Sequence, residues 1–298
     1  MEKKDLRVIF MGTPEFAVES LKALVEGGFN VVAVVTQPDR PVGRHMSVLH
    51  PSEVKQYALS QGLPVLQPEK MKDEAFLSQL RSFHADVQVV VAFRMLPEVV
   101  WAMPCFGTFN VHASLLPHYR GAAPINWAVI NGEQETGVTT FFLDHEIDTG
   151  RIIMQRKSPI LDSDNVEDVY ERLMKLGSEV CIKTLEEILA TDGRVKTIAQ
   201  PVGDDSLKPA PKLFKENTRI DWNRSPREIY NFVRGLSPYP TAWTELVDGM
   251  GRRQSVKIFS VEPHGENVEI LELQVAGKKR MTYREFLNGQ QGREFHFE

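Results

Sequence analysis

The chain has 298 residues, with 35 Lys and Arg against 40 Asp and Glu, a net charge of −5, 42% apolar residues and 25% charged ones. That balance excludes disordered and fibrous chains and leaves an ordinary globular protein of one or two domains. No stretch approaches the roughly 20 apolar residues of a membrane helix, and Met1-Glu2-Lys3-Lys4-Asp5 runs into a strand pattern without an apolar leader, so a cytoplasmic chain with no membrane contact is expected.

Cys105 and Cys181 cannot build a disulfide framework or a four-thiolate metal site, and both are expected to be small buried residues in a reducing compartment. Charge divides unevenly along the chain. Residues 208–298 carry 15 basic and 12 acidic side chains, which gives +3, while the first 207 residues carry −8. An acidic total argues against non-specific coating of nucleic acid, and a local basic face remains open.

In chain order, apolar strand-like runs fall at 7–11, 31–36, 65–66, 87–92, 108–112, 139–143 and 152–155. Helix-like segments alternate with them, the sequence form of βαβ units around a largely parallel sheet. Val87 to Ala92 is apolar at nearly every position, as a central strand covered on both faces requires. Thr13 is expected to cap a helix with Pro14 at its first position, its apolar stripe Val18, Leu21, Leu24 and Val25 ending at Gly27-Gly28. The strongest helical period runs from about Asn165 to Ala190 through Val166, Val169, Leu173, Leu176, Val180 and Ile188, and Asp192-Gly193 ends it.

Periodicity then lapses, and Pro201, Gly203, Pro209 and Pro211 suggest a chain crossing between domains. The expected division is a domain over 1–192, a linker over 193–207 and a second domain over 208–298. The last contains a helix at 226–233 and alternating strands at 242–247, 255–261 and 268–273, punctuated by glycines, as in a small β domain or barrel.

A dinucleotide site is poorly supported, since Met11-Gly12-Thr13-Pro14 has one glycine where the fingerprint needs three, and no Gly-Lys-Ser/Thr occurs. The densest polar cluster is Thr108-Phe109-Asn110-Val111-His112, followed by Ser114-Leu115-Leu116-Pro117 and Arg120-Gly121. Alternation puts Asn110 and His112 on one strand face, where buried polar groups are costly without a task or a partner. A helix near Pro124 follows, its amino end expected to favour an anionic or carbonyl ligand. A second cluster, Asp144 to Gly150, lies at the end of another strand, and Asp148 can meet His112 there. It also fits a solvated loop. No histidine or acid pair has a metal-ligand spacing, and no nucleophile elbow occurs. An Asn, a His and an Asp suit direct transfer of an activated acyl group to an amine, which needs an oxyanion donor and proton carriers.

Asn110-x-His112, Ser114-Leu115-Leu116-Pro117, Arg120-Gly121 and Asp148-Thr149-Gly150, in that order and spacing, resemble the signature of formyltransferases that use 10-formyltetrahydrofolate. Gly12 to Ala17, Thr36 to Pro41 with Gly43-Arg44, Arg120 to Ile125 with Trp127, and Arg219-Ile220-Asp221-Trp222 are similar to the branch acting on methionyl-tRNA.

The resemblance implies an α/β, Rossmann-like open twisted sheet with helices on both faces, plus a smaller C-terminal OB-like β-barrel. It implies formyl transfer from 10-formyltetrahydrofolate to the α-amino group of methionine on initiator tRNA, with no metal, by a monomer. Asn110, His112 and Asp148 would be catalytic, and Ser114, Leu115, Leu116 and Pro117 would contact the folate. Phe93, Arg94, Met95, Leu96 and Asp144 would belong to its pterin pocket, and Arg40 and Arg44 would meet the tRNA. Gly43-Arg44-His45-Met46-Ser47 stands where many such proteins carry Gly-Arg-Gly-Lys-Lys. Two alternatives are a formyltransferase acting on a nucleotide-linked amino sugar and an RNA-binding module that keeps the fold without catalysis.

Overall fold

A computed structural model describes residues 2–42, 48–201 and 203–298. The elements in order are β1 (Arg7–Gly12), α1 (Glu15–Glu26), β2 (Asn30–Val35), β3 (Arg40–Val42), β4 (Val48–His50), α2 (Glu53–Ser60), β5 (Val65–Leu66), α3 (Glu74–Ser82), β6 (Val87–Val91), α4 (Glu98–Trp101), β7 (Thr108–His112), α5 (Pro124–Ile130), β8 (Glu135–Phe142), β9 (Ile152–Pro159) and α6 (Val166–Ala190). Then come α7 (Pro226–Arg234), β10 (Ala242–Asp248), β11 (Arg253–His264), β12 (Asn267–Val275), β13 (Met281–Thr282), α8 (Tyr283–Gln290) and β14 (Phe295–Phe297).

Seven strands form one sheet in the order β5-β2-β1-β6-β7-β8-β9. The pairs from β5 to β7 are parallel, and β8 runs antiparallel to β7. All five residues of β6 are buried, as its apolar run requires. On one face Ile9, Met11, Ala33, Val35 and Val90 pack against Phe76, Leu77 and Leu80 of α3 and Val100 of α4. On the other, Gly177 of α6 lies against Val111, where an added Cβ would meet the valine methyl at 3.5 Å. In α6, Val166, Val169, Leu173, Val180, Leu185 and Ile188 are buried, each contributing about 1.5–3 kcal/mol. Asn165 caps this helix, its Oδ1 accepting from the backbone N–H groups of Glu167 and Asp168.

Thr13 does not cap α1. Its hydroxyl accepts instead from the Gln37 N–H at 3.3 Å, and Pro14 takes the cap position without a side-chain bond. Cys181 is buried as expected, whereas Cys105 is exposed. Among the described residues no helix is long and apolar enough to cross a membrane.

The chain divides into two compact units. One takes residues up to Arg120 with Gly137–Ser158 and Glu171–Lys208; the other takes Gly121–Thr136, Pro159–Tyr170 and Pro209–Glu298. Residues 193–207, expected to be a linker, fall in the first unit, where Ile198 exchanges two backbone bonds of 2.8 Å with Ile152. The helix expected near Pro124 is α5, only seven residues long, and it belongs to the second unit. The N–H of its cap residue, Ala123, donates to the Ala210 carbonyl at 3.2 Å.

The second unit has an antiparallel sheet in the order β13-β12-β11-β10-β14, matching the expected OB-like class. Ile229, Phe232 and Val233 of α7 pack into its core with Val256, Ile258, Leu273 and Phe286. The Arg219 to Trp222 run lies along β10, with Ile220 N–H donating to the Trp243 carbonyl at 2.8 Å and Trp222 Nε1 to Thr244 Oγ1 at 2.9 Å.

Candidate active site

Strand β7 sends Phe109 and Val111 into the core at 0% and 3% exposure, so Asn110 and His112 share the opposite face. Asn110 aligns with Val90, which places that face on the α3 and α4 side of the sheet. Asn110 Oδ1 is buried without a hydrogen-bond partner, a condition that costs about 1–3 kcal/mol.

His112 is 7% exposed, and its Nε2 lies 2.8 Å from the Tyr119 carbonyl oxygen. A carbonyl only accepts, so Nε2 holds the hydrogen and the neutral ring keeps its lone pair on Nδ1. Nδ1 faces Asp148 Oδ2 at 3.9 Å, longer than a hydrogen bond yet within the range over which a carboxylate stabilises an imidazolium. Phe141 meets the imidazole edge to face, with centroids 6.4 Å apart.

Asp148 adopts a left-handed backbone, with φ of 57°. Two contacts hold its loop. Gly150 lies so close to Phe142 that a Cβ would stand 1.7 Å from that residue's carbonyl oxygen, and Gln200 Nε2 donates to the carbonyls of Asp148 at 3.0 Å and Gly150 at 2.7 Å. Gln200 Oε1 in turn accepts from Arg120 Nη2 at 2.8 Å and Nε at 3.2 Å.

Ser114 is fully buried, its hydroxyl donating to the His118 carbonyl at 2.8 Å. Thr139, paired with His112 across the sheet, donates to the Ser114 carbonyl at 2.6 Å and accepts from the Leu116 N–H at 3.1 Å. Gln155 Nε2 adds bonds to the Leu116 carbonyl at 2.7 Å and to the Thr139 hydroxyl at 2.9 Å. The Ser114 to Pro117 turn is therefore bolted from behind, and only Leu115 and Pro117 are partly exposed.

In the second expected pocket, Leu96 is buried in the core at 7% exposure, and Arg94 is spent on the carbonyls of Pro68 and Glu69 while lying over Phe93. Met95 is 68% exposed. Asp144 is exposed and accepts from the His145 N–H at 2.6 Å. Arg40 lies exposed on β3 and bonds Gln37, whereas Arg44 lies outside the described residues. Beside Arg40, Asp39 pairs with Lys55 at 2.6 Å and accepts from Gln67 at 2.7 Å. Lys55 first, then Gln67, hold the Asp39 carboxyl below its ordinary value.

The structure thus brings His112 and Asp148 together, with Asn110 on the same strand face. It adds Tyr119, Thr139, Gln155 and Gln200, which sequence reasoning had not singled out. Thr139 carried no signal, since β8 is buried without alternation from Thr136 to Phe141 and its pairing with His112 exists only in the folded sheet; Gln200 carried none either.

The chain matches the family described as "Formyl transferase" over residues 6–185 and "Formyl transferase, C-terminal domain" over residues 212–269. It is 57% identical to the methionyl-tRNA formyltransferase of Parabacteroides distasonis, covering 97% of both chains, and 58% identical to that of Phocaeicola vulgatus at the same coverage. The fold is shared with HypX from Aquifex aeolicus in complex with tetrahydrofolic acid, at a TM-score of 0.65 and 16% identity over 96% of this chain and 48% of that one. It is also shared with a sugar N-formyltransferase from a Shewanella species, at 0.62 and 18% over 87% and 99%.

Proposed function

The chain belongs to the formyl transferase family, and from that premise we propose that it transfers the formyl group of 10-formyltetrahydrofolate to the α-amino group of methionine on initiator tRNA. The product is N-formylmethionyl-tRNA for translation initiation. The observation that carries the reading is the His112 ring, held by Tyr119 with Nδ1 turned to Asp148 and with Asn110 two residues before it, in a chain 57% identical to such an enzyme.

The donor supplies an activated formyl carbon. Asn110 Nδ2 donates to the oxygen of that carbon as negative charge develops there when the neutral methionyl amine attacks. His112 Nδ1 accepts the proton the amine gives up, the Asp148 carboxylate stabilises the imidazolium, and the imidazolium returns that proton to the folate nitrogen as its bond to the formyl carbon breaks, releasing tetrahydrofolate. The Nε2–H bond to Tyr119 keeps the ring from turning, which lowers the entropic cost of reaching the reactive geometry. The backbone of Ser114 to Pro117, with Leu115 and Pro117, holds the folate, and Phe93, Arg94, Met95, Leu96 and Asp144 form its pterin pocket. The partly buried Phe93 and exposed Met95 offer apolar surface suited to a flat ring. Arg40 and Arg44 grip the acceptor end of the tRNA. The protein works in the cytoplasm as a monomer.

Purified protein incubated with formylfolate and charged initiator tRNA, each omitted in turn, tests the reading. Formylmethionine is expected on the tRNA only with both present, and its absence overturns the function. If the acceptor were instead a nucleotide-linked amino sugar, Lys278→Glu with Lys279→Glu, both exposed, would leave turnover unchanged. On the tRNA reading the pair raises the tRNA KM several-fold, most strongly at low salt.

A further inference from the structure

The side chain of Gln200 completes a ring of contacts around the His112 imidazole. On one side, the Tyr119 carbonyl takes the Nε2 hydrogen, and the next residue, Arg120, directs its guanidinium at Gln200 Oε1. On the other, Gln200 Nε2 donates to the carbonyls of Asp148 and Gly150, and the Asp148 carboxylate returns to His112 Nδ1. Both ends of one amide, 9% exposed, are spent on the two arms that approach the imidazole from opposite edges.

The Asp148 backbone explains why such a tie has work to do. A residue with a Cβ adopts the left-handed conformation at a steric cost, and it persists where surrounding contacts compel it. Gln200 supplies two of those contacts, one at Asp148 itself and one two residues later, and neither involves the carboxylate. It therefore fixes the backbone from which the carboxylate is aimed, without itself touching the carboxylate.

We propose that Gln200 is a positioning residue for formyl transfer, setting the approach of Asp148 to His112 by tying the Asp148 turn to Arg120. The proposal rests on the formyltransferase reading and adds to it a residue from a stretch without regular structure. Anchoring of the 193–207 segment alone predicts something different, namely a loss that is the same whether or not Asp148 carries a carboxylate.

The test is a double-mutant cycle. Gln200→Glu keeps an oxygen for Arg120 and replaces the amide donor with oxygens that repel the Asp148 and Gly150 carbonyls. Expected is a fall in kcat of ~10- to 100-fold with KM for both substrates within about twofold, and in an Asp148→Asn background a further fall of less than about twofold. An equal loss in both backgrounds, a loss confined to KM, or no loss overturns the proposal. If Gln200→Glu fails to fold by circular dichroism, Gln200→Leu carries the same cycle.

A readout without turnover separates this proposal from the function itself. The ¹⁵N resonance of His112 Nδ1 at fixed pH reports the carboxylate opposite it, and it should move in Gln200→Glu in the same direction as in Asp148→Asn. An unmoved resonance overturns the proposal. A wild-type chain that does not formylate methionyl-tRNA overturns the function and leaves this measurement to decide the role of Gln200.

Discussion

The Tyr119 carbonyl and His112 Nε2 are 2.8 Å apart, and this one contact determines which ring nitrogen is basic. His112→Gln keeps a donor of similar reach for Tyr119 but has no base in place of Nδ1. We expect kcat to fall ~10²- to 10⁴-fold in formyl-transfer assays, with the unfolding midpoint nearly unchanged.

Asn110→Ala removes the oxyanion donor together with an amide oxygen that has no partner. Turnover should fall ~10²- to 10³-fold, and urea denaturation should show no loss of stability, or a gain, because a buried unpaired polar group disappears.

Gly150→Ala has a different expected signature. The added methyl meets the Phe142 carbonyl oxygen at 1.7 Å, a backbone atom that no rotamer change can move. The variant should be less stable by more than about 2 kcal/mol in urea and should lose turnover as well, since Gly150 lies in the same loop as Asp148.

Acid should release the anchor beside Arg40. Lys55, then Gln67, hold the Asp39 carboxyl below its ordinary value of 3.8. A depressed native value means that the stabilisation is complete above the unfolded value and is lost as pH falls through the native one. Asp39→Asn should therefore have a lower urea midpoint than the parent chain at neutral pH, by a constant margin down to about pH 5, and the margin should close below about pH 4.

The two thiols should separate cleanly. Burial pushes the Cys181 thiol up to about 12, so at pH 8 its thiolate fraction is on the order of 10⁻⁴. Ellman's reagent should label the exposed Cys105 alone in the native chain and both residues in guanidinium.

Much of the site was legible because alternation in a short strand is a strong rule. Once residues 108–112 were read as a strand, Asn110 and His112 had to share a face, and the structure places them so. Asp148 was legible as the end of a neighbouring strand. Thr13 was misread because a capping hydroxyl and a tertiary acceptor look alike in sequence, and the Gln37 N–H is the partner it meets. Gln200 bonds two backbone carbonyls, and carbonyls leave no mark on a sequence. The capping box of Thr282 and Glu285 opens α8, but only Phe286 on that helix is buried, so no apolar stripe marks it in the sequence.

The arrangement around His112 also imposes an order in time. A nascent chain that has emerged as far as Ala190 already contains Asn110, His112, Tyr119, Arg120 and Asp148, and α6 with its buried stripe is complete. It does not yet contain Gln200, so the ring around the imidazole stays open while the sheet beneath it can already form. Closure awaits a segment without regular structure, made after the last helix of that unit, and it comes just before the ribosome turns to the C-terminal sheet.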